Sequence, residues 1–424
     1  MTEMVGATQG SKLDVEPVFD TVERPPHVAP ELVVDFDYHA PIPDGEDNYT
    51  VLSRLQQHGH DILWTPRNGG HWITTRGEDI RWVQENFGIF SHEVFTIPRG
   101  TSRIIMPPLT VDPPLHARYR AVLNPFFTPK KVAVLKEKAS ELAIDLIEKI
   151  AQQDRCDFVS EFASVFPVIM FLGIVDLPLE MRQNFLDWAH TFMLGETQAE
   201  RDSGLGKVLG YLNKVTQERY ANPGTDLMSA IAAWRDNPRF QGENEVQGMA
   251  ALIYFGGLDT VASAISFMIR HLAQNPGHRR RILEDPAIIP RAAEEYLRRH
   301  GLSNTGRLIM SDVERKGATM KADEMIMVPI GCSSIDDRLY KNAMDVDFDR
   351  PELMTESGIP THNTFGNGPH KCVGAPLARA ELQIVLQEWL PRIPDFRLDP
   401  EKPVRIHMDS VPGIEEMHLL IGKE

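Results

Sequence analysis

The chain has 424 residues, of which 42% are apolar and 25% charged, a balance typical of a globular protein with a sizeable core. Its formal net charge of -16 argues against a nucleic-acid-binding protein, which would need a basic surface. The sequence shows no apolar run that would span a membrane, no signal peptide and three cysteines, too few for a disulfide framework, so a soluble cytoplasmic protein is predicted.

The predicted elements describe a mainly helical protein. The first 45 residues are polar and proline-rich and are expected to form a loosely ordered lead-in to a single domain over 46–424. Two short strands, DILWTP and HWITTR, follow, with Gly69-Gly70 near their turn. Apolar residues at helical spacing predict a helical body over about 114–300 and 373–390, and a smaller β-rich part comes from about 50–95, 305–350 and 395–424.

The stretch DPPLHARYR, Asp112 to Arg120, predicts a helix start, because two prolines precede a helical run. His116 and Arg120 are four residues apart and should share one face. Taken alone, each could be an ordinary surface cation.

The stretch YFGGLDT lies inside a long apolar helical segment that runs towards His271. Two adjacent glycines in a helix cost about 1 kcal/mol each relative to alanine, so something must use the space. Gly256 and Gly257 would let a flat ligand or a small molecule lie against the backbone, and Thr260 can donate to the carbonyl of Gly256 and open the helix locally. The alternative is a close contact between two helices at small residues.

The stretch EEYLRRH places Glu295 and Arg298 three residues apart on a predicted helix, so both face the same side. Alone, this pattern also fits a solvated surface pair, which contributes little to stability.

The stretch FGNGPHKCVG sets Cys372 among glycines just before the last strong helix. A helix N-terminus favours thiolate over thiol, and glycines let the backbone approach a neighbour closely. An anionic sulfur beside a bulky planar group fits heme iron ligated by cysteine, and His370 could then donate to a heme propionate. The alternative is a buried cysteine in a glycine-rich turn, the reading we keep for Cys156 and Cys332.

These motifs together resemble the cytochrome P450 family. Its cysteine-ligand loop, Phe-x-x-Gly-x-His/Arg-x-Cys-x-Gly, is matched in full by Phe365, Gly368, His370, Cys372 and Gly374. The likeness covers roughly residue 50 to the C-terminus and is closest to the soluble bacterial camphor-hydroxylase branch. It implies a helical prism around a buried heme b (iron protoporphyrin IX) with an axial cysteine thiolate.

The resemblance also implies a role for each matching residue. Asp259 and Thr260 would serve oxygen activation and proton delivery, and Cys372 would be the metal ligand. Glu295, Arg298 and Arg350 would form a buried structural network. The other residues expected to bind the cofactor are His116, Arg120, Arg307, His370, Phe365, Gly366 and Gly256.

The substrate is predicted to be a small hydrophobic terpenoid or norisoprenoid. The resemblance places a substrate-binding tyrosine ahead of Asp112, yet Ile104 or Arg103 falls there, so an ionone-like ketone is favoured over camphor. The loss of that hydrogen bond should loosen regioselectivity. The expected pocket residues are Phe95, Ile104, Leu252, Phe255 and Ser303.

The implied reaction is monooxygenation with O₂ and two electrons. The electrons are expected from an acidic [2Fe–2S] ferredoxin with a separate NAD(P)H-dependent reductase, and a monomer that binds neither nucleic acid nor membrane is predicted. A local basic dock for the ferredoxin is expected from Arg118, Lys130, Lys131, Lys371 and Arg379, although solvated cations explain these residues too. The alternative functions are a peroxygenase or isomerase, against which Asp259 and Thr260 argue, and a non-catalytic heme or terpenoid binder.

Overall fold

A computed structural model of the chain describes residues 16–102, 104–194 and 197–422. The α-helices in these ranges are α1 Asn48–Gln57, α2 Gly77–Glu85, α3 His116–Leu123, α4 Pro129–Ile150, α5 Val165–Ile174, α6 Arg182–Leu194, α7 Gln198–Ala221, α8 Leu227–Ala232, α9 Glu243–Gln274, α10 Pro276–Glu284, α11 Ile289–Arg299, α12 Ile330–Ser334 and α13 Ala375–Arg392. The strands are β1 Ile62–Thr65, β2 His71–Thr74, β3 Phe90–Ser91, β4 Arg155–Asp157, β5 Asn304–Ile309, β6 Val313–Arg315, β7 Ala318–Met320, β8 Met325–Pro329, β9 Phe396–Leu398, β10 Arg405–His407, β11 Gly413–Glu416 and β12 His418–Ile421. The predicted mainly α fold with a smaller β part is confirmed.

Strands that are distant in the chain build the largest sheet, in the order β1-β2-β8-β5-β3. The hairpin of β1 and β2 is antiparallel, with Leu63 opposite Ile73, and β8 joins β2 in parallel. Gly70 in the hairpin turn has φ +78°, and a Cβ there would lie 2.8 Å from the Trp64 ring, so the turn needs glycine at this place. The remaining sheets are β4-β12-β9, β10-β11 and β6-β7.

Two features differ from the sequence-based expectation. Part of the predicted loose lead-in is packed, because Val28, Leu32 and Phe36 are buried and the Val34 amide donates to the Trp64 carbonyl at 2.9 Å. Residues 1–15 of that lead-in lie outside the described ranges. Within the predicted helical body, the strand β4 pairs with β12, which lies more than 250 residues later in the chain. No local sequence pattern predicts this pairing.

Helix α9 joins the two halves of the core. Its N-terminal half packs with α5, α7 and α8 in one apolar cluster, and its C-terminal half packs with α13, β9 and β11 in a second. Its length and composition would suit a membrane span, but 61% of its most apolar window is buried inside the fold, as in the core helix of a globular protein. Asp259 and Thr260 lie at the junction, between Leu258 of the first cluster and Val261 of the second.

Candidate active site

The loop before α13 is fixed by its own hydrogen bonds. The Cys372 amide donates to the Phe365 carbonyl at 2.8 Å, and the Gly366 amide donates to the Asn363 carbonyl at 2.8 Å. Gly368 has φ +66°, and a Cβ on it would lie 2.8 Å from the Gln84 carbonyl oxygen at the end of α2. The loop therefore presses its backbone against α2, which only glycine permits.

Cys372 differs from the other two cysteines in its surroundings. Its side chain is exposed, whereas Cys156 and Cys332 are buried. Burial raises the pKa of Cys156 to about 12 and also raises that of Cys332. Although Cys372 is exposed as a residue, the protein around its sulfur desolvates the thiolate and raises the thiol pKa, and the amides of Gly374 and Ala375 and the cations Arg120 and Arg379 oppose the rise. The helix end thus acts as predicted, but in the protein alone desolvation outweighs it.

Three imidazoles gather beside this loop. The His370 ring lies 4.3 Å from the ring of His92 and 4.4 Å from that of His116, measured between centroids. His370 Nε2 lies 3.4 Å from an Asp112 carboxylate oxygen. Burial lowers the pKa of His116 to about 4 and lowers those of His92 and His370 as well. His92 is absent from the predicted site because no sequence pattern marks it; it follows β3, and its amide donates to Asp112 at 3.1 Å.

Two guanidinium groups complete the cluster. Arg307 is 5% exposed and donates to the Thr305 hydroxyl and the Gly306 carbonyl, and burial lowers its pKa to about 9. Arg120 donates to the Lys371 carbonyl at 2.6 Å, next to Cys372, and burial lowers its pKa. The cluster therefore holds two arginines and three histidines against the single carboxylate of Asp112.

The donor set fits the two carboxylates of heme. A buried cation without an ion-paired carboxylate is unfavourable, so the group around Arg307 suits an added anion. The buried atoms His92 Nδ1 and His116 Nε2 have no hydrogen-bond partner among the described residues. Two propionates would supply both the missing charge and the missing acceptors, with the Cys372 sulfur on the adjoining loop.

The glycine pair of α9 borders open space rather than another helix. A Cβ on Gly256 would meet only Leu252 Cδ1, at 3.8 Å, and a Cβ on Gly257 would meet nothing within 4 Å among the described residues. The alternative of a close helix–helix contact is therefore not what the structure shows. The Thr260 hydroxyl donates to the Gly256 carbonyl at 3.0 Å, although α9 stays helical throughout and the expected local opening is absent from Glu243–Gln274. Burial raises the pKa of Asp259 to about 6.

The candidate pocket residues lie on three segments of the chain, one of which is α9. Leu252 and Phe255 are half-buried on α9, and the Phe255 ring turns towards Phe192 of α6 at 5.1 Å. Phe95 and Ile104, also half-buried, belong to the segment that follows β3, where Arg103 lies outside the described residues.

Ser303, the polar member of the candidate pocket, precedes β5 with φ +97°, a conformation that is unusual for a non-glycine residue. Its carbonyl accepts the Ile330 amide at 3.0 Å. Ser303 is therefore held by the backbone between β5 and α12.

Glu295, Arg298 and Arg350 meet in the interior, each at most 2% exposed. A Glu295 carboxylate oxygen accepts from Arg298 and, at 3.1 Å, from Arg350 Nε. Arg298 also donates to the Ser334 carbonyl at 2.8 Å. The network ties α11 to the segments that follow α12, so the simple surface-pair interpretation does not apply.

Of the five cations expected to form a basic docking patch for a ferredoxin, four are exposed and one is paired within the protein. Arg118, Lys130, Lys131 and Lys371 are exposed, whereas Arg379 is ion-paired with Glu294 and lies over the Phe365 ring at 4.6 Å. Arg379 is therefore engaged within the protein and contributes less positive field to a partner than its four neighbours do.

Comparisons with known proteins agree with this geometry. The family model described as Cytochrome P450 matches residues 127–410. The chain is 31% identical over 407 residues to a probable cytochrome P450 127A1 of Sinorhizobium fredii, covering 93% of this chain and 96% of that one. It is 29% identical over 344 residues to a mycinamicin IV hydroxylase/epoxidase of Micromonospora griseorubida, covering 79% and 85%. The crystal structures of CYP101J2 and CYP101C1 superpose with TM-scores of 0.85 and 0.86 at 32% and 31% identity, each covering 95% of this chain and 100% of the other.

Proposed function

The chain belongs to the cytochrome P450 family of heme-thiolate monooxygenases, and from that premise we propose that it is a cytoplasmic enzyme that hydroxylates an unactivated C–H bond of a small apolar terpenoid or norisoprenoid. The observation that carries the proposal is the open face of α9 at Gly256 and Gly257, next to the acid Asp259 and the hydroxyl of Thr260. An ionone-like ketone fits better than camphor.

Heme bound at this site supplies O₂ activation and transfer of one oxygen atom to the substrate, and its thiolate ligand favours O–O cleavage. Cys372 would be the ligand to the heme iron. The thiols of Cys156 and Cys332 are buried, and acidic neighbours oppose their ionisation, whereas Arg120 and two backbone amides favour the thiolate at Cys372. His116, His370, Arg120 and Arg307 would hold the propionates, with His92 as an added member, and Phe365 and Gly366 shape the loop.

Asp259 and Thr260 have the chemistry of a proton-delivery pair. A carboxyl group with a pKa of about 6 can both hold and release a proton near neutral pH. The Thr260 hydroxyl donates to the Gly256 carbonyl, which fixes its oxygen towards the open face of the helix. This arrangement supports the O₂-dependent cycle over a peroxygenase or isomerase, since a peroxide-driven site has no need of a proton relay.

Replacement of Thr260 by alanine tests the proton-delivery role. Thr260→Ala should keep heme binding but divert electrons from product to peroxide. Thr216→Ala is the control, because Thr216 also donates to a backbone carbonyl of its own helix α7, that of Asn213 three residues earlier, at 2.9 Å. If Thr260→Ala forms as much product for each electron consumed as the wild type does, the assignment is contradicted and the peroxygenase alternative is favoured.

The substrate class follows from the lining. Phe95, Ile104, Leu252 and Phe255 offer apolar surface, and Ser303 is the polar member of the set, so orientation by a strong fixed hydrogen bond is not expected. A substrate-induced spin-state titration tests this with β-ionone, camphor and a macrolide as probes. β-Ionone should convert the heme from low to high spin at the lowest concentration. Conversion by the macrolide alone, or by none of the three, would contradict the proposed class.

We further propose that electrons arrive from an acidic [2Fe–2S] ferredoxin docking at Arg118, Lys130, Lys131 and Lys371. A positive patch on an acidic protein accelerates encounter in a salt-dependent way. The double variant Arg118→Glu/Lys131→Glu should raise the KM for a ferredoxin about tenfold at low salt. Lys207→Glu/Lys214→Glu is the matched control, since Lys207 and Lys214 are both exposed on α7. If the two variants have equal KM values for the ferredoxin, the proposed ferredoxin-binding patch is rejected.

A further inference from the structure

The hairpin of β10 and β11 approaches α9 unusually closely. Its register places His407 opposite Gly413. A Cβ on Gly413 would lie 2.7 Å from His407 Nε2 and 2.9 Å from the Ser263 hydroxyl of α9. Both polar atoms therefore flank the same point, and only glycine leaves room for them there.

Ser263 lies one helical turn after Asp259, so the two residues share a face of α9. Of the charged groups in the described ranges, His407 is the one whose field lowers the pKa of Asp259, against the larger effect of burial. Burial raises the pKa of Tyr254, five residues earlier on α9, and the charge of Asp259 adds to that rise. The hairpin thus brings an imidazole from the C-terminal region to the face of α9 that carries the acid of the proposed proton-delivery pair.

The other nitrogen of His407 faces a carboxylate near the surface. His407 Nδ1 lies 3.3 Å from Asp409 Oδ2, and His39 Nδ1 lies 2.9 Å from Asp409 Oδ1. These two imidazoles hold the pKa of Asp409 below its usual range, so Asp409 stays ionised. Its side chain is 54% exposed, against 27% for His407. Nδ1 of His407 is itself buried and faces Asp409, which leaves Nε2 towards α9.

We propose that His407, oriented by Asp409, carries protons from solvent to Asp259 during turnover. This rests on the proposed monooxygenase function. The imidazolium releases its Nε2 proton through the Ser263 hydroxyl or water to the Asp259 carboxylate, which has just passed its own proton to the Thr260 hydroxyl as that hydroxyl released one towards the active site. The neutral imidazole then regains a proton at Nε2 from water, so each passage moves one proton inward. His407 acts through Asp259 and is a positioning and relay residue, not one that touches substrate.

Replacement of His407 by glutamine tests the relay in the holoenzyme with β-ionone, a surrogate ferredoxin and its reductase. His407→Gln should lower kcat about tenfold, less than the ~10²–10⁴ typical of a direct proton-transfer residue, and leave KM for β-ionone unchanged. Its solvent deuterium isotope effect on kcat should rise, and the histidine-dependent limb of the pH–rate profile should vanish. Gly413→Ala should act in the same direction by separating His407 from Ser263.

His418→Gln is the matched control, because His418 is also paired with a carboxylate, Glu416 at 2.6 Å, on the adjoining strand. An unchanged carbon monoxide difference spectrum shows that each variant retains its heme fold. Equal kcat, isotope effect and pH profile in His407→Gln and His418→Gln would overturn the relay.

A second readout does not depend on turnover. In the diamagnetic carbon monoxide complex of the reduced holoenzyme, Asp259→Asn should change the NMR chemical shifts of the His407 ring, because the charge of a neighbouring carboxylate is lost. The chemical shifts of the His418 ring should not change. Unchanged His407 shifts would overturn the relay even in an active enzyme. Changed His407 shifts in a protein that oxidises none of the probes would uphold the contact and instead reject the proposed function.

Discussion

The buried carboxylate of Glu295 gives a prediction whose size follows from the structure. It accepts from Arg298 Nε at 3.1 Å, from Arg350 Nε at 3.1 Å and from the Asp347 amide at 2.9 Å. Glu295→Gln keeps the shape but removes the charge that two buried guanidinium groups share. It also turns one acceptor oxygen into an NH₂ group, which cannot accept from either arginine.

Both arginines keep some partners in the variant. Arg298 still donates to the Ser334 carbonyl at 2.8 Å and to the Asp345 carbonyl at 2.7 Å, and Arg350 donates to the Asp345 carbonyl at 2.9 Å. Breaking a buried ion pair costs about 3–5 kcal/mol when the partner charge is left behind. Glu295→Gln leaves the charges of Arg298 and Arg350 without their carboxylate, and the backbone carbonyls offset part of that cost. The free energy of unfolding is therefore expected to fall by about 4 kcal/mol. That is a large part of the 5–15 kcal/mol that is typical of total stability.

Urea unfolding of the holoprotein, followed by far-UV circular dichroism at fixed heme concentration, measures this loss. Glu78→Gln is the matched control: Glu78 pairs with Arg315 at 3.2 Å, but its side chain is 71% exposed. The control should lose at most about 1 kcal/mol. If Glu295→Gln loses no more free energy of unfolding than Glu78→Gln does, the argument from a shared buried charge is refuted.

Three further changes probe the heme cluster, the cysteine loop and the acid of α9. Arg307→Gln should speed heme transfer to an acceptor apoprotein about tenfold while leaving the apoprotein equally or more stable, because it removes a buried cation with a depressed pKa. Gly368→Ala should cost about 2–3 kcal/mol in urea unfolding, since φ is +66° and the added Cβ meets the Gln84 carbonyl. Asp259→Asn should stabilise the protein by about 1–2 kcal/mol at pH 8 and much less at pH 4. The raised pKa of about 6 means that the folded state binds more protons, so wild-type stability falls as pH rises from about 4 through 6.

For each of these three substitutions, one result would contradict the reasoning behind it. Slower or unchanged heme loss in Arg307→Gln would remove the propionate assignment. Gly317→Ala controls for Gly368→Ala, because Gly317 has φ +85° with nothing within 4 Å of its added Cβ among the described residues, and equal losses would exclude the close approach as the cause. If the gain in the free energy of unfolding of Asp259→Asn does not change with pH, then burial does not raise the pKa of the Asp259 carboxyl group.

Local sequence was sufficient for the features that depend on neighbouring residues. The loop with Cys372, the glycines of α9 and the back-bonded Thr260 are set by spacings of four residues or by φ values open to glycine, so a pattern reveals them. Hydrophobic periodicity likewise predicted a helical body, since burial of one face has the same period wherever the helix packs.

Only the tertiary structure decided which distant segments meet. His92 and His370 stack although 278 positions separate them, β4 pairs with β12, and part of the expected loose lead-in is buried at Val28 and Phe36. His407 reaches the α9 face of Asp259 and Ser263 only because a glycine in the facing strand leaves room. Such contacts depend on how whole helices and strands pack around one core. Local sequence patterns do not determine which distant surfaces that packing brings together.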